Sequence, residues 1–225
     1  MAIEDPNPDI HGHALIAPLA AYVFSTMFHH QPLLFLAASW DPQRMITYAF
    51  LHCAANPDRE YMPSIKRFVT TNPQLAFHPM LIPLLIMDLE TDSTLGDDQE
   101  WTSIMFQIEI KTQQRPSYTE TVDPLDLDLA SIVQQLNGCS SFVTLIGRET
   151  EAVLIHLRQV REAISDLQIR SPGLEVVSRT LIKHVDFLTE SRKNLLLRLQ
   201  NLQRRSQIQL AFVCSRLTTT FSASG

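Results

Sequence analysis

The sequence predicts a mostly helical α+β fold, in which a small mixed α/β N-terminal body precedes an antiparallel helical hairpin. Two helical stretches of about 40 residues each make up the C-terminal half, and both repeat apolar side chains at alternating steps of four and three. The apolar runs of the N-terminal half are shorter and differ in their period. At 225 residues, the chain is long enough to bury a core of ordinary size.

The predicted organisation has four parts, and the hydrophobic period changes between the second and the third. Residues 1–13 form a flexible polar tail, and residues 14–120 form the mixed α/β body. Residues 125–217 form the helical hairpin with a long, stalk-like, coiled-coil-like second helix, and residues 218–225 form a loose tail.

The first part of the mixed body contains three short apolar segments. Ala14–Phe28 is apolar on nearly all sides and is interpreted as a buried helix or a pair of strands. Pro32–Ser39 is a short apolar run that is assigned to neither a helix nor a strand. Gln43–Ala54 has apolar residues at helical spacing and is predicted to be a helix.

The clearest strand signal of the sequence lies in Trp101–Lys111, where apolar and polar residues alternate. Leu84–Leu89 is an apolar run of strand length, and Pro83 suits only a strand edge or the turn before it. Both segments flank the acidic, turn-rich residues Thr91–Glu100, which are predicted to form a loop. We therefore expect an antiparallel β-hairpin here.

The first arm of the helical hairpin, Leu125–Gln168, has helical periodicity throughout. Gly138 and Gly147 are predicted either to interrupt this arm or to mark close contacts between helices. The sequence Ser-Pro-Gly that follows predicts a sharp turn, in which Pro172 suits the first position of the next helix.

The second arm, from Leu174 to Leu217, has no proline or glycine and predicts a helix about 60 Å long. Its apolar seam skips one position, at Arg192, which is expected to weaken the seam locally. The predicted seam and association residues are Leu181, Val185, Leu188, Leu195, Leu199 and Leu202. If a glycine breaks the first arm, the end of the second arm exposes its leucines, and we expect self-association or partner binding through this helix.

The charge is distributed unevenly along the chain. Residues 1–173 carry 10 Lys/Arg against 21 Asp/Glu, a net charge of −11, whereas residues 174–225 carry 8 against 3, a net charge of +5. An acidic body argues against binding to nucleic acid. The cations of the second arm are predicted to face the acidic body, a partner, anionic lipid or solvent.

The compartment is predicted from cysteine usage and from the absence of targeting signals in this sequence. The three cysteines are scattered and form no Cys-x-x-Cys pair, which is typical of a reducing compartment. The N-terminus is acidic rather than basic, and we expect no segment of the sequence to span a membrane. We expect a cytoplasmic protein without a transmembrane segment of its own, peripheral to a membrane only through a partner.

The histidines are the candidate metal ligands and catalytic bases of the chain. They are His11, His13, His29, His30, His52, His78, His156 and His184. The N-terminal pairs lack a third ligand at metal-binding spacing. His52 is adjacent to Cys53, and adjacent side chains diverge, which makes a poor nucleophile–base pair. His156 and His184 lie on opposing arms and are predicted to meet, if at all, as an interface pair.

Two acidic patches are the remaining candidates for cation binding. One consists of Asp123, Asp126 and Asp128, and the other of Asp92, Asp97, Asp98 and Glu100. Helix-start aspartates are expected from the helix dipole, and the second patch lacks the ligand spacing and the glycine of an EF-hand. Phosphate-binding loops, nucleophile elbows and His-Glu-x-x-His motifs are also missing from the sequence, so we expect no enzyme and assign no catalytic residue.

Three stretches of the sequence carry a resemblance to a known family, namely His78–Glu90, Leu125–Ile164 and Leu195–Leu210. They resemble CorA-type magnesium transporters, and most of all the divergent CorA-like proteins of filamentous fungi. His78–Glu90 resembles a segment of that group that begins with His-Pro and continues with apolar residues and proline. Leu125–Ile164 resembles the base of its helix pair, and Leu195–Leu210 resembles its stalk helix. The resemblance implies a cytoplasmic and stalk domain, and Mg²⁺ is the one cofactor that it suggests.

The sequence departs from that family pattern at its C-terminal end. In the family, the stalk helix continues into two transmembrane helices with a Gly-Met-Asn signature between them, and this sequence contains neither feature. No pore residue can therefore be assigned. The predicted function is a non-enzymatic CorA-like domain without a pore, which senses divalent cations or modulates a membrane relative. The alternative is a soluble helical-hairpin interaction module with no cation role.

Overall fold

The computed structural model describes residues 20–26, 34–41, 44, 46–53, 61–114 and 128–223. Within these residues the chain is mostly helical, with one three-stranded antiparallel sheet followed by four α-helices, which confirms the predicted fold class. The strands are β1 (Ala20–Thr26), β2 (Leu34–Asp41) and β3 (Ile46–Cys53). The helices are α1 (Tyr61–Thr71), α2 (Leu81–Lys111), α3 (Leu129–Arg170) and α4 (Glu175–Ala223).

The sheet has β2 as its central strand, paired with β1 on one side and β3 on the other. Alternate residues of β2, namely Leu36, Ala38 and Trp40, are buried toward the helices, as expected for a sheet with one covered face. The helix predicted for Gln43–Ala54 is wrong, because this segment contains strand β3. Its β-branched and aromatic residues favour a strand, and pairing with β2 outweighs the helical spacing.

The predicted β-hairpin is also wrong, since Leu84–Leu89 and Trp101–Lys111 both belong to helix α2. The predicted acidic loop between them is the middle of the same helix. Burial in Trp101–Lys111 follows the helical period rather than the two-residue alternation. Met105 and Ile108, three residues apart, are buried, and Phe106 is exposed. Pro83 falls in the first turn of α2, where a helix tolerates a missing N–H.

Helices α2, α3 and α4 form an up-down-up bundle, and α3 and α4 are the predicted antiparallel hairpin. Residue pairs between α3 and α4 run in opposite directions, as in Arg161–Asp186 and Leu136–Ser206, whereas pairs between α2 and α4 run in the same direction. At 1.5 Å per residue, α2 is about 46 Å long, α3 about 63 Å and α4 about 73 Å. Helix α4 continues to Ala223, so six residues of the predicted loose tail are helical.

The bundle contains two apolar cores, one at each end. The sheet-end core combines β2, α1 and the start of α2 with Val153–Leu167 of α3, Leu174 of the turn before α4 and Val177–Leu188 of α4. The far core combines Met105 and Ile108 of α2 with Ile132–Ile146 of α3 and Leu195–Val213 of α4. Four buried polar residues lie at the level between the two cores. They are Thr91, Asp98, Thr150 and Arg192.

Neither glycine of α3 interrupts the helix, and only one of them marks a close contact. A Cβ added at Gly138 would lie 2.8 Å from Cη2 of Trp101, and the Trp101 ring is itself stacked on Phe142. A Cβ added at Gly147 would have no such neighbour within 4 Å. The absence of a side chain at Gly138 is therefore what allows α2 and α3 to approach each other closely.

We expect opposite effects when these two glycines are replaced by alanine. Gly138→Ala forces the Trp101 ring to move and lowers the free energy of unfolding by about 1–3 kcal/mol. Gly147→Ala raises it by about 0.5–1 kcal/mol, because alanine is the better helix former and the space is open. Urea denaturation of both variants tests the helix packing, which is contradicted if the two alanines have the same effect.

Candidate functional site

Helices α2 and α4 meet along a row of polar side chains, which we call the polar seam. Its pairs are Asp88–His184, Thr91–Arg192, Asp98–Arg198, Glu109–Arg205 and Thr112–Gln209. From Asp88 to Glu109 and from His184 to Arg205 both helices advance 21 residues, or about 32 Å. In each acid–base pair the carboxylate belongs to α2 and the base to α4.

The closest ion pair of the polar seam joins Glu109 to Arg205 near the far core. Arg205 donates from Nε to Oε1 of Glu109 at 2.6 Å and from Nη2 to Oε2 at 2.9 Å. Glu109 is almost fully buried, and the Arg205 side chain is about one-quarter exposed. A two-pronged guanidinium–carboxylate contact of this kind fixes both the distance and the rotation of two helices.

Asp98 is the least well compensated acid of the seam. Its Oδ2 lies 3.2 Å from Nη1 of Arg198, while its Oδ1 is buried and has no hydrogen-bond partner within the described residues. Burial raises the pKa of the Asp98 carboxyl, and the nearby Arg198 charge only partly opposes this rise. The burial of Asp98 therefore lowers the stability of the fold by more than its single ion pair raises it.

Arg192, at the position that the apolar seam skips, is almost fully buried and faces α2. Its Nε donates to Oγ1 of Thr91 at 3.0 Å, and the same hydroxyl donates to the carbonyl oxygen of Met87. Thr150 of α3 is fully buried in the same region, and its hydroxyl has no partner within the described residues. Arg192 thus lies at a heptad position of α4, but its side chain donates a hydrogen bond to α2.

His184 and Asp88 form the pair of the seam nearest to the sheet. Nε2 of His184 lies 3.3 Å from Oδ2 of Asp88, and both side chains are about one-third exposed. The His184 ring is stacked on Phe187 at a centroid distance of 6.3 Å. Its hydrogen-bond partner is thus Asp88 on α2, whereas the sequence left a contact with His156 on α3 open.

His78 lies at the turn before α2 and is fully buried. Its Nδ1 accepts from the backbone N–H of Met80 at 3.1 Å, which leaves Nε2 to donate to Oγ of Ser178 on α4 at 3.2 Å. Burial lowers the pKa of His78 from 6.5 to about 4. His78 therefore acts as a neutral structural link between the turn and α4.

We expect the buried His78 to make the fold sensitive to acid. The unfolded chain takes up a proton at this residue below about pH 6.5 and the folded chain only near pH 4, so stability falls between these values. The difference amounts to about 3 kcal/mol at most. The measurement is urea denaturation from pH 7.5 to 4 for the wild type and His78→Asn, which keeps an acceptor for Met80 N–H.

The His78→Asn variant should be less stable at pH 7.5 and should lose less stability on acidification. The raised pKa of Asp98 stabilises the fold at low pH, and this stabilisation is lost as the pH rises through that pKa. Asp98 is present in both proteins, so its contribution cancels in the comparison. Ser178→Ala is the control, since it removes the Nε2 partner but keeps the titrating ring. Equal acid sensitivity of the wild type and the His78 variant would contradict this account.

The six predicted association residues are all buried inside the chain, each no more than 2% exposed. They pack in the two apolar cores, because α3 continues unbroken beside α4 over 42 residues and leaves no leucine seam uncovered. The break in the first arm, on which the predicted exposure of this seam depended, is absent, and the seam packs within the chain. The residues are Leu181, Val185, Leu188, Leu195, Leu199 and Leu202.

The predicted acidic patches have structural positions where the structure describes them. Asp128 is the N-cap residue of α3, and its Oδ1 accepts from the backbone N–H of Ser131 at 3.0 Å. Asp98 lies in the polar seam, and Glu100 is an exposed residue of α2. Asp123 and Asp126 lie outside the described residues, as do His11, His13, His29 and His30. Within the described residues, no group of three or more His, Cys, Asp or Glu side chains is close enough to hold a metal ion.

Two open grooves lie beside the bundle. One, of about 310 Å³, lies between α1 and α2, with apolar walls that include Phe68 and Leu89 and with Arg67 and Asp88 among its lining residues. The other, of about 390 Å³, lies between α3 and α4 and is lined mainly by charged side chains, several of them already paired.

The polar seam was not predicted from the sequence, although the spacing of its residues in α2 carried a signal. Asp88, Thr91, Asp98, Glu109 and Thr112 are separated by 3, 7, 11 and 3 residues, and all these intervals return to one side of a helix. Once α2 is taken as a helix, this side is visibly polar and acidic. The strand assignment hid the pattern, because it divided the residues between two strands and a loop.

Helix α3 is the one described helix that is long and apolar enough to cross a bilayer. The core helix of a bundle can have the same length and composition as a membrane span. Comparisons with protein-family models, with curated proteins and with solved structures find no match for this chain.

Proposed function

We propose that this chain is a non-enzymatic protein-association module, in which the long helix α4 contacts other proteins. The observation that carries the proposal is a row of large apolar residues on the solvent side of α4. They are Val176, Phe187, Leu197 and Ile208, each more than half exposed. Their spacing of 10 or 11 residues keeps them within about 80° of the helix circumference over about 48 Å.

The row lies opposite the buried side of α4 and suits a partner that packs lengthwise on the helix. Each residue is about three turns from the next, so the row is a series of separate contacts rather than one continuous patch. Monomeric proteins do expose single apolar residues, but exposed residues that recur along one side of a rod favour lengthwise association.

The narrower form of the proposal is that the chain acts as a CorA-like cytoplasmic and stalk domain without a pore. The arrangement that supports it is a small sheet at one end of a bundle whose last helix is long and carries a net charge of +5. In this form, the partner is a second copy or a CorA-like membrane protein that packs on α4. A role in divalent-cation sensing belongs to this narrower form, whereas the plain interaction module has no cation role.

Sedimentation equilibrium tests the association through α4. The wild type should shift from monomer toward oligomer across micromolar concentrations, alone or with an added partner, and Phe187→Ser with Leu197→Ser should weaken this shift. The matched control is Ile155→Ser with Ile169→Ser, which removes equally exposed apolar residues from α3. A monomeric wild type, or equal effects of the two double variants, would argue against the proposal. Magnesium chloride at about millimolar concentration tests the cation role, which requires a higher melting temperature in the same samples.

A further inference from the structure

The charges of the three bundle helices differ in a way that singles out α2 and α4. Helix α2 contains seven acidic residues and one basic residue, a net charge of −6, and α4 contains three acidic and eight basic residues, a net charge of +5. Helix α3 has four of each and is neutral. The attraction between helices of the bundle is therefore concentrated between α2 and α4.

The two contacts of α4 also differ in kind. Toward α3, α4 presents an almost unbroken apolar heptad pattern, whose residues lie in both cores. Toward α2 it presents His184, Arg192, Arg198 and Arg205, and their partners are acids or hydroxyls. The apolar residues Leu81–Met87 at the start of α2 pack in the sheet-end core, whereas among the described side chains of residues 88–112 the buried apolar ones are Met105 and Ile108.

The polar seam is also imperfect and partly open to solvent. Asp98 has one oxygen without a partner in the described part of the chain, and Arg198 is nearly half exposed. Asp88 and His184 are each about one-third exposed. An ion pair that is open to solvent on both sides, such as Asp88–His184, contributes little net free energy and weakens further when salt screens it. Another acidic helix can therefore compete with the acidic side of α2.

We propose that the basic side of α4, formed by Arg192, Arg198 and Arg205 with His184, is a recognition surface for an acidic amphipathic helix of a partner protein, and that α2 covers it in the isolated chain. The inference rests on the association proposed above and names the chemistry of the partner. A matching helix carries carboxylates at the levels of Asp88, Asp98 and Glu109, and apolar residues in place of Met105 and Ile108. Charge complementarity over about 32 Å sets both its direction and its register.

The test uses the full chain and a fluorescent peptide with the sequence of residues 88–112, read by anisotropy. The double substitution Asp98→Asn with Glu109→Gln weakens the contact of α2 with α4. We expect this weakened variant to bind the peptide about tenfold more tightly than the wild type does. Glu100→Gln with Glu151→Gln removes the same charge from exposed positions and should bind like the wild type. Raising NaCl from about 0.05 M to about 0.5 M should weaken the binding.

Charge reversal shows whether the peptide occupies the place of α2. In the weakened variant, Arg205→Glu should abolish binding of the peptide, and a peptide with Glu109→Arg should restore it. If the double variant loses its helical circular dichroism, Glu109→Gln alone replaces it, with an expected gain of about threefold. Equal binding by the wild type and the weakened variant, or by a peptide lacking these carboxylates, overturns the proposal.

Two further results would assign the surface to a different occupant and would also overturn the proposal. Dimerisation of the weakened variant without peptide identifies a second copy as the occupant. Binding to phosphatidylserine vesicles, with no binding to the peptide, identifies anionic lipid instead. If the peptide does not bind but the wild type oligomerises, the recognition proposal fails and the association proposal stands. The two proposals are therefore tested separately.

Discussion

Replacement of Leu199 by alanine is expected to lower the free energy of unfolding by about 3–5 kcal/mol, whereas Leu197→Ala should change it by less than about 0.5 kcal/mol. The two leucines lie two residues apart in α4 and differ in their surroundings. Leu199 is 2% exposed and packs in the far core, and Leu197 is 58% exposed on the solvent side. Truncation at Leu199 leaves a cavity that rigid helices on either side cannot fill.

Urea denaturation followed by far-ultraviolet circular dichroism measures both variants under the same conditions. The comparison also separates the two surfaces of α4, because Leu199→Ala should lower stability and Leu197→Ala should act on association alone. Equal losses of stability in the two variants would show that α4 does not pack as described. A loss of association only in Leu199→Ala would restore the predicted role of the leucine seam.

The helical hairpin could be predicted from the sequence because its heptad pattern is long and regular. In α3, the buried positions follow steps of four and three from Ile132 to Leu167, and α4 continues the pattern from Leu181 to Val213. Over so many turns, a chance match to another period is rare. The turn between the arms was equally clear, since Pro172 and Gly173 both lie between the two helices.

The structure of α2 could not be predicted in the same way, because its buried side is mixed. A helix that packs on a second helix through Met105 and Ile108 and on a third through Asp98 and Glu109 has no apolar stripe of ordinary width. The two-residue alternation in Trp101–Lys111 was then the strongest local signal. Tertiary contacts with α3 and α4 decide the structure of this segment.

In the candidate site, too, the basic residues of α4 could be identified from the sequence, but their tertiary partners could not. Arg192 was visible in the sequence as a gap in the apolar seam, but its partner Thr91 lies 101 residues away. The basic character of α4 was also visible, with several possible partners left open. The structure assigns Arg192, Arg198 and Arg205 to the acidic side of α2, which was one of those predicted alternatives.

The ion pair between Glu109 and Arg205 is the most direct test of the central claim, that an acidic α2 lies parallel to a basic α4. Glu109→Arg places a second cation beside Arg205 in a largely buried site, and Arg205→Glu places a second carboxylate there. Each single substitution should lower the free energy of unfolding by about 3 kcal/mol or more, because a buried charge loses its partner and gains a like charge.

The measurement is a double-mutant cycle by urea denaturation, with Glu109→Arg, Arg205→Glu and the exchanged pair in one chain. If the two helices lie as described, the exchanged pair re-forms the ion pair and recovers at least half of the summed loss in stability. Glu100→Arg with Arg205→Glu is the control, since Glu100 is exposed, and it should show no recovery. Additive losses in the exchanged pair would contradict the parallel contact of α2 and α4.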